Sequence, residues 1–249
     1  MSLPDVSFQI SKVVCGGMHA LILSTDGRLF AFGCNDDGAL GRDMKSPPCL
    51  EQVEIPDQVS LISAGDSHSV AVTTSNKLYV WGQYRNVISG GMGRKKFEPE
   101  QVGQFELNGK VIRKIASGCN HTLVLAGSKI FSWGDPETGA TGRKLTSRRK
   151  NTQSMKIESM GARYPVDVWA GSYFSFYKDA NDRQYAFGLN NYGQLGLGHE
   201  FDRYEPTMMK NCPIFETIQG GEHHTIGVTV DGDVYAWGRN DDCQLGINL

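Results

Sequence analysis

The feature that most constrains the fold of this 249-residue chain is a motif that recurs five times at intervals of about 50 residues. Each copy contains Gly-x-x-His, two short runs of alternating apolar residues around a turn, an aromatic residue before glycine, and Gly-x-Leu-Gly. The Gly-x-x-His elements end at His19, His68, His121, Phe174 and His224, so the fourth copy lacks the histidine. Degenerate features that recur together at fixed offsets indicate a repeat architecture.

The later elements of the motif recur with the same regularity. The aromatic–glycine pairs are Phe32-Gly33, Trp81-Gly82, Trp133-Gly134, Phe187-Gly188 and Trp237-Gly238. The Gly-x-Leu-Gly elements begin at Gly38, Gly90, Gly139, Gly193 and Cys243, with substitutions in the second, third and fifth copies. Glycine accounts for 30 of the 249 residues, well above the usual share of about 7%, and this surplus indicates many tight turns.

Each repeat predicts β-strands rather than helices. An apolar alternation follows each histidine, and Asp26-Gly27, Ser75-Asn76 and Asp231-Gly232 are typical of hairpin turns that lead into a return strand. No stretch shows a sustained 3.6-residue period. A β-repeat of this length predicts an all-β fold, a five-bladed β-propeller of four-stranded blades. We expect one domain over 1–249, with repeats at approximately 11–55, 56–105, 106–160, 161–210 and 211–249 plus 1–10.

The fourth strand of each blade is expected after Gly-x-Leu-Gly. The candidates are Cys49–Ile55, Glu98–Phe105, Met155–Met160 and Glu205–Lys210, and the fifth repeat has none. The segment Leu3–Phe8 resembles these candidates. We therefore expect the N-terminal strand to join the last blade and close the ring, which would remove open sheet edges.

Composition narrows the functional class. The net charge of −2 excludes a generally basic nucleic-acid coat, so any anion site must be a local patch. No apolar run approaches the ~20 residues of a membrane span, and the N-terminus does not match a secretory signal. The six cysteines form no Cys-x-x-Cys pair, and we interpret them as small buried residues of a reducing compartment.

The repeated histidines and tryptophans are expected to be structural. Because one histidine recurs per blade without companions at ligand spacing, hydrogen bonding between blades is favoured over metal binding. Trp81, Trp133 and Trp237 are expected inside the blades. No nucleophile elbow, phosphate-binding loop or zinc-protease motif is present. We expect no covalent catalysis, no cofactor and no metal.

Several longer segments of the sequence resemble the regulator of chromosome condensation family, whose members are exchange factors of the Ran GTPase. They are CGGMH at Cys15–His19, FGCNDDGALGRD at Phe32–Asp43, SAGDSHS at Ser63–Ser69, YAFGLNNYGQLG at Tyr185–Gly196 and GGEHHT at Gly220–Thr225. The resemblance covers nearly the whole chain. The family is a seven-bladed propeller with a basic N-terminal tail, whereas this sequence has five repeats.

The resemblance implies partner-binding residues just before the repeated histidines. They are Asp66, Asn120, Glu222 and His223. The family has an acid at the positions of Asp66 and Asn120 and a histidine at that of His223. Asn120 therefore keeps a hydrogen-bond acceptor but loses the charge that would strengthen an ion pair to a GTPase.

The second repeat contains an insertion. The glycine of the aromatic–glycine pair lies five positions before the start of Gly-x-Leu-Gly in the first, third and fourth repeats. In the second repeat this separation is eight positions, from Gly82 to Gly90. The residues around this insertion form either a tolerated surface loop or a protruding wedge. The resemblance implies a wedge that presses on the phosphate loop and switch region of the GTPase. Its candidate contact residues are Tyr84, Arg85, Asn86, Val87 and Ile88.

The fourth repeat begins late, after a basic stretch. Gly142 to Gly171 spans 29 positions, against 24 or 25 elsewhere. The candidate chromatin- or anion-binding residues here are Arg143, Lys144, Arg148, Arg149 and Lys150. They form either a solvated basic loop or a patch for histones or DNA. The resemblance implies the second, since the family uses a long loop here to engage chromatin and the GTPase.

Two functions remain open. The resemblance implies a guanine-nucleotide exchange factor for Ran, a nuclear and monomeric protein with no membrane partner; an additional cytoplasmic location stays open. The alternative is a non-catalytic interaction propeller that binds another small GTPase, a cytoskeletal partner or chromatin; five repeats and Asn120 motivate it.

Overall fold

The computed structural model describes residues 8–43, 49–84, 96–144 and 157–247. It contains 19 strands in five antiparallel sheets among these residues. The first sheet has β1 (Ile10–Cys15), β2 (His19–Ser24), β3 (Leu29–Gly33) and β4 (Glu51–Gln52). The second has β5 (Val59–Ala64), β6 (His68–Thr73), β7 (Leu78–Gly82) and β8 (Lys96–Val102). These sheets are blades 1 and 2.

The remaining sheets follow the same plan. Blade 3 has β9 (Ile112–Ser117), β10 (His121–Ala126), β11 (Lys129–Gly134) and β12 (Glu158–Ser159). Blade 4 has β13 (Pro165–Ala170), β14 (Phe174–Asp179), β15 (Gln184–Gly188) and β16 (Arg203–Met208). Blade 5 has β17 (Phe215–Gly220), β18 (His224–Thr229) and β19 (Val234–Gly238) within the described residues. The prediction of an all-β, five-bladed propeller is confirmed.

The blades lie side by side around a channel lined by their inner strands, β1, β5, β9, β13 and β17. Each predicted fourth strand forms, although β4 and β12 are only two residues long. Every residue of β2, β6 and β10, the second strands of blades 1, 2 and 3, is buried. In blades 2, 3 and 4 both faces are covered, because each of these sheets packs between two others.

The hairpin turns follow the sequence signals. Gly27, Asn76 and Gly232 have φ of 83°, 63° and 88°, the left-handed region that glycine and asparagine tolerate best. Asn76 also ties blades 2 and 3 together, because its side-chain oxygen accepts from the Ile112 N–H at 2.8 Å. The predicted hairpin turns are confirmed.

Apolar clusters fill the space between successive blades. Leu21 and Leu29 of blade 1 pack in one cluster with Ile62, Tyr79 and Trp81 of blade 2. Equivalent clusters join blade 2 to 3, 3 to 4, and 4 to 5. The indoles of Trp81 and Trp133 are completely buried, so their predicted place inside the blades is confirmed.

A hydrogen-bond relay crosses the blade interfaces. His19 Nε2 lies 2.8 Å from Ser69 Oγ of the next blade, and this hydroxyl donates to the Ala39 carbonyl at 2.8 Å. Since the single hydroxyl proton goes to the carbonyl, His19 must donate from Nε2 and is the neutral Nε2–H tautomer. His121 and Ser175 repeat the arrangement with the carbonyl of Ala140. The predicted inter-blade role is confirmed for His19, His68 and His121, and it stays a prediction for His224.

Backbone bonds add a second connection at the mouth of the channel. The Asp66 N–H donates to Cys119 O, the Cys119 N–H to Ser172 O, and the Ser172 N–H to Gly221 O, at 2.8 to 3.1 Å. The close approach of neighbouring backbones requires glycine at this position, because a Cβ on Gly118 would collide with the His121 ring and the Gly171 carbonyl. The glycine of Gly-x-x-His is thus fixed by the neighbouring blade as much as by its own turn.

The predicted closure by Leu3–Phe8 lies, apart from Phe8, outside the described residues and stays a prediction. The Phe8 ring stacks on Phe30 of blade 1 at 4.1 Å between centroids. No helix long and apolar enough for a bilayer crossing occurs in the described parts of the chain.

The cysteines depart from expectation. All six are free, but Cys15, Cys49 and Cys243 are exposed and the other three half-buried. The prediction that they are buried is wrong, because the motif places them at strand ends and in loops rather than in the inter-blade clusters.

The buried histidines predict acid-sensitive stability. Burial lowers the pKa of His19 to about 4 and that of His121 to about 3, and it lowers the pKa of His68 well below 6.5. Below about pH 6.5 the unfolded chain binds more protons, so the free energy of unfolding is highest above that pH and falls as the pH decreases toward 4. Urea unfolding between about pH 7.5 and 4.5 measures this slope. His121→Phe, which copies Phe174, should reduce it; an unchanged slope would contradict the assignment.

Candidate functional site

The candidate partner-binding residues gather at one end of the propeller, which we call the loop face. The Gly-x-x-His turns open β2 and its equivalents, while the aromatic–glycine pairs end the adjacent strands. His19, the first residue of β2, pairs with Gly33, the last residue of β3, and His224 pairs with Gly238 in the same way. The Gly-x-x-His turns and the loops that follow the aromatic–glycine pairs therefore lie on the same side. The hairpin turns, such as Asp231-Gly232, lie at the opposite end.

Asp66 lies at the inner rim of the loop face, between blades 1 and 2. Its carboxylate accepts from Ser67 Oγ at 3.1 Å, and a Cβ on Gly17 would collide with it. Its negative charge raises the pKa of His19, although burial outweighs this and leaves that pKa low. The carboxylate is half-exposed and can reach a partner across the channel mouth.

Glu222 and His223 lie on the rim of blade 5. The Glu222 side chain is 68% exposed, and its Oε1 lies 3.8 Å from His223 Nε2. The His223 ring lies 5.0 Å from the ring of Tyr192, and the Arg239 guanidinium lies 5.4 Å from the same tyrosine ring. These side chains form a continuous polar and aromatic shelf over blades 4 and 5.

Asn120 is the least accessible of the predicted rim residues. It is 7% exposed, and its carbonyl accepts from the Asp135 N–H at 2.7 Å. Little of this side chain is open to a partner, so the acid-to-amide change matters less to the surface than the sequence suggested.

Tyr84 is not a surface residue of a wedge. It is 1% exposed, its ring stacks on His68 at 3.8 Å between centroids, and its hydroxyl lies 2.8 Å from Thr122 Oγ1. Burial raises the pKa of its phenol above the ordinary value. The prediction that Tyr84 contacts a partner is wrong, because the ring fills the interface between blades 2 and 3. Arg85, Asn86, Val87 and Ile88 lie outside the described residues.

Arg143 is likewise structural. It is 8% exposed, its Nε donates to Ser132 Oγ at 3.1 Å, and its Nη1 donates to Glu158 Oε2 at 3.2 Å. A guanidinium held by a carboxylate in the blade is not available to an external anion, so its prediction as an anion-binding residue is wrong. Lys144 is exposed. Arg148, Arg149 and Lys150 lie outside the described residues.

Exposed acidic side chains recur among the described residues of the loop face. Asp36 of blade 1, Glu137 of blade 3, and Asp241 and Asp242 of blade 5 are exposed in the loops after the aromatic–glycine pairs. Arg239 bonds to Asp241 at 2.9 Å and lies 3.5 Å from Asp242. Together with Asp66 and Glu222, these carboxylates make a surface that attracts a basic partner.

Sequence reasoning missed Tyr192, Arg239 and the acidic loops. Their signal was present, since all of them lie between an aromatic–glycine pair and a Gly-x-Leu-Gly element. Only the strand pairing shows that these loops share a side with Asp66 and His223. No group of three or more metal-ligating side chains occurs among residues 8–43, 49–84, 96–144 and 157–247.

Comparisons with known proteins agree with this architecture. A family model described as the RCC1-like domain matches residues 2–248. The regulator of chromosome condensation of Xenopus laevis is 34% identical over 99% of this chain and 63% of its own length. Human E3 ubiquitin-protein ligase HERC2 is 32% identical over 98% of this chain, which corresponds to 5% of that protein.

Among solved structures, Prp20p from Saccharomyces cerevisiae superimposes with a TM-score of 0.87 at 26% identity, over 96% of this chain and 59% of Prp20p. That structure was described together with the binding of Prp20p to Gsp1p and histones. The chain thus spans less than two thirds of the length of the Xenopus relative and of Prp20p.

The position of Tyr84 generates a stability prediction. Tyr84→Phe removes a buried hydroxyl and leaves Thr122 Oγ1 without that partner, so the free energy of unfolding should fall by about 1 kcal/mol. Tyr192→Phe, at an exposed position of the shelf, is the control and should change the free energy of unfolding by less than about 0.5 kcal/mol. Urea unfolding measures both. Equal, negligible effects would show that Tyr84 is not buried between the blades.

Proposed function

The chain belongs to the RCC1-like domain family, and from this we propose that it is a guanine-nucleotide exchange factor for the small GTPase Ran. The loop face binds the GTPase, and the insertion after Gly82 disturbs its nucleotide site. The propeller supplies no reacting group, because exchange makes and breaks no covalent bond.

The observation that carries the proposal is the arrangement of the loop face. Asp66 and Glu222 place carboxylates on either side of the channel mouth, and His223 lies beside Glu222. The acidic loops of blades 1, 3 and 5 extend the same charge outward. A basic surface on the GTPase would be steered to this face and held in one orientation by the rim residues.

Nucleotide exchange follows from the thermodynamic linkage between two binding equilibria of the GTPase, one with the propeller and one with the nucleotide. A protein that binds the nucleotide-free GTPase more tightly than the loaded form must weaken nucleotide binding by the same factor. Contacts of the rim residues alone would bind the nucleotide-free and the nucleotide-loaded GTPase equally. The preference for the empty form must come from a group that competes with the phosphates or their Mg²⁺, and we assign this role to the insertion and to Arg85 in particular.

The basic stretch is the second part of the proposal. Lys144, Arg148, Arg149 and Lys150 would contact DNA or histones, and the protein would then act in the nucleus. The binding of Prp20p to histones supports this role. Charge-neutralising these four residues should weaken nucleosome binding and reduce its salt dependence; an unchanged salt slope would rule the role out.

The exchange proposal predicts that different residues control association with Ran and release of its nucleotide. Asp66→Asn and Glu222→Gln should each weaken association with Ran about three- to tenfold, since each removes one charge from the docking surface. Arg85→Ala should slow nucleotide release more than it weakens association. Release of fluorescent GDP from Ran, together with binding to nucleotide-free Ran, measures the two effects.

The matched control is Asp231→Asn, which removes the same charge from a hairpin turn at the opposite end and should change neither quantity. No acceleration of GDP release by the intact chain would remove the exchange proposal. Binding without acceleration would instead establish the alternative, a non-catalytic propeller. That alternative is favoured by the similarity to HERC2, which shows that this repeat also occurs in a ubiquitin ligase.

A further inference from the structure

The channel contains a cavity of about 470 Å³ that the proposed exchange mechanism does not use. It lies between the inner strands of the blades, and its volume falls within the range of about 300–1,000 Å³ that is typical of small-molecule sites. In the part of the chain that the structure describes, two lysines line this cavity, Lys12 and Lys114, but no aspartate or glutamate does. The lining therefore carries positive charge.

Lys12 supplies one of these charges. It is the third residue of β1 and is exposed to the channel. Among the described residues, its ammonium group forms no ion pair and no hydrogen bond. Asp66 and Glu222 belong to the turns at the loop face, beyond the ends of the inner strands, and neither lines the cavity. The charge of Lys12 is thus open to a ligand in the channel.

Lys114 supplies the second charge, from the third position of β9, which is equivalent to that of Lys12 in β1. Its ammonium group donates to the Asp167 carboxylate of blade 4 and lies 4.8 Å from the centroid of the Trp169 ring. An ammonium group has three donors, so the bond to Asp167 does not exhaust them. Asp167 does not line the cavity, whereas Lys114 does.

Other polar groups of the wall add donors. The Trp169 indole is 4% exposed, and its N–H has no hydrogen-bond partner among the residues described. Thr217 and Gln219 of β17 contribute a hydroxyl and an amide. Each inner strand pairs with one neighbour only, so its free edge presents backbone N–H and C=O groups to the channel. A complementary ligand therefore has a negative charge and several hydrogen-bonding oxygens.

We propose that this cavity binds a small organic oxyanion, a phosphate or carboxylate group on a hydroxylated carbon skeleton. Lys12 and Lys114 hold the oxyanion, and the free strand edges bond to the hydroxyl groups. The two lysines carry the proposal, because they come from different blades and reach one cavity whose described lining contains no acid. The site is independent of nucleotide exchange and lies apart from the rim residues of the loop face.

Three sugars with the same ring and different charges test the proposal: glucose 6-phosphate, glucuronate and glucose. Isothermal titration calorimetry with the full chain should show one-to-one binding of at least one of the two anionic sugars. Glucose should not bind at the same concentrations, because the lysines require a charge. The anionic sugar that binds more tightly shows whether the site takes phosphate or carboxylate. Binding of neither anionic sugar, or equal binding of glucose, would overturn the proposal.

Lys12→Gln should weaken binding of that sugar about tenfold, because it removes one of the two charged donors. The matched control is Lys77→Gln, at an exposed position next to the hairpin turn of blade 2, which should leave the affinity unchanged. In ¹⁵N NMR spectra, the indole N–H resonance of Trp169, assigned with Trp169→Phe, should shift more than that of Trp81, since Lys114 lies on the Trp169 ring. Equal effects of the two lysine changes, or an unmoved Trp169 resonance, would place the anion elsewhere and refute the site.

Discussion

The structure depends on a short chain of hydrogen bonds that passes from one blade into the next. Between blades 1 and 2 and between blades 3 and 4, a neutral histidine donates to a serine hydroxyl, and that hydroxyl donates to a loop carbonyl of the histidine's own blade. The relay satisfies three buried polar groups at once, which would otherwise destabilise the interface. Its direction fixes the register of neighbouring sheets, whereas apolar packing alone would let them slide.

The relay also separates structural from functional positions. In Gly-x-x-His, the glycine allows the neighbouring backbone to approach and the histidine begins the relay, but the two intervening side chains take no part in it. Those two positions are the ones that vary, and they hold Asp66, Asn120, Glu222 and His223. Blade 4 shows how far the motif can change: Phe174 replaces the histidine by apolar packing, while Thr225 still reaches the loop carbonyl. A propeller of this kind can therefore acquire a new partner without altering its interfaces.

Strands, hairpins and the structural role of the histidines could be predicted from sequence, because each is set by local alternation, by turn residues or by a motif repeated with the fold. Tyr84 and Arg143 could not. Both follow loop elements and look exposed in sequence, yet Tyr84 is buried on His68 and Arg143 is paired with Glu158. Such burial depends on what the neighbouring blade places opposite. The grouping of Tyr192, Arg239 and His223 was missed for a related reason, since strand pairing brings distant loops together.

A double-mutant cycle on His121 and Ser175 tests the relay most directly. His121→Phe copies the natural residue of blade 4, and Ser175→Ala copies Ala20 of blade 1, so both changes have precedents within this chain. The free energy of unfolding should show a coupling of about 1 kcal/mol or more between the two changes, because the second removes a partner already lost in the first. Strictly additive effects would contradict the account and leave apolar packing as the force that holds the blades together.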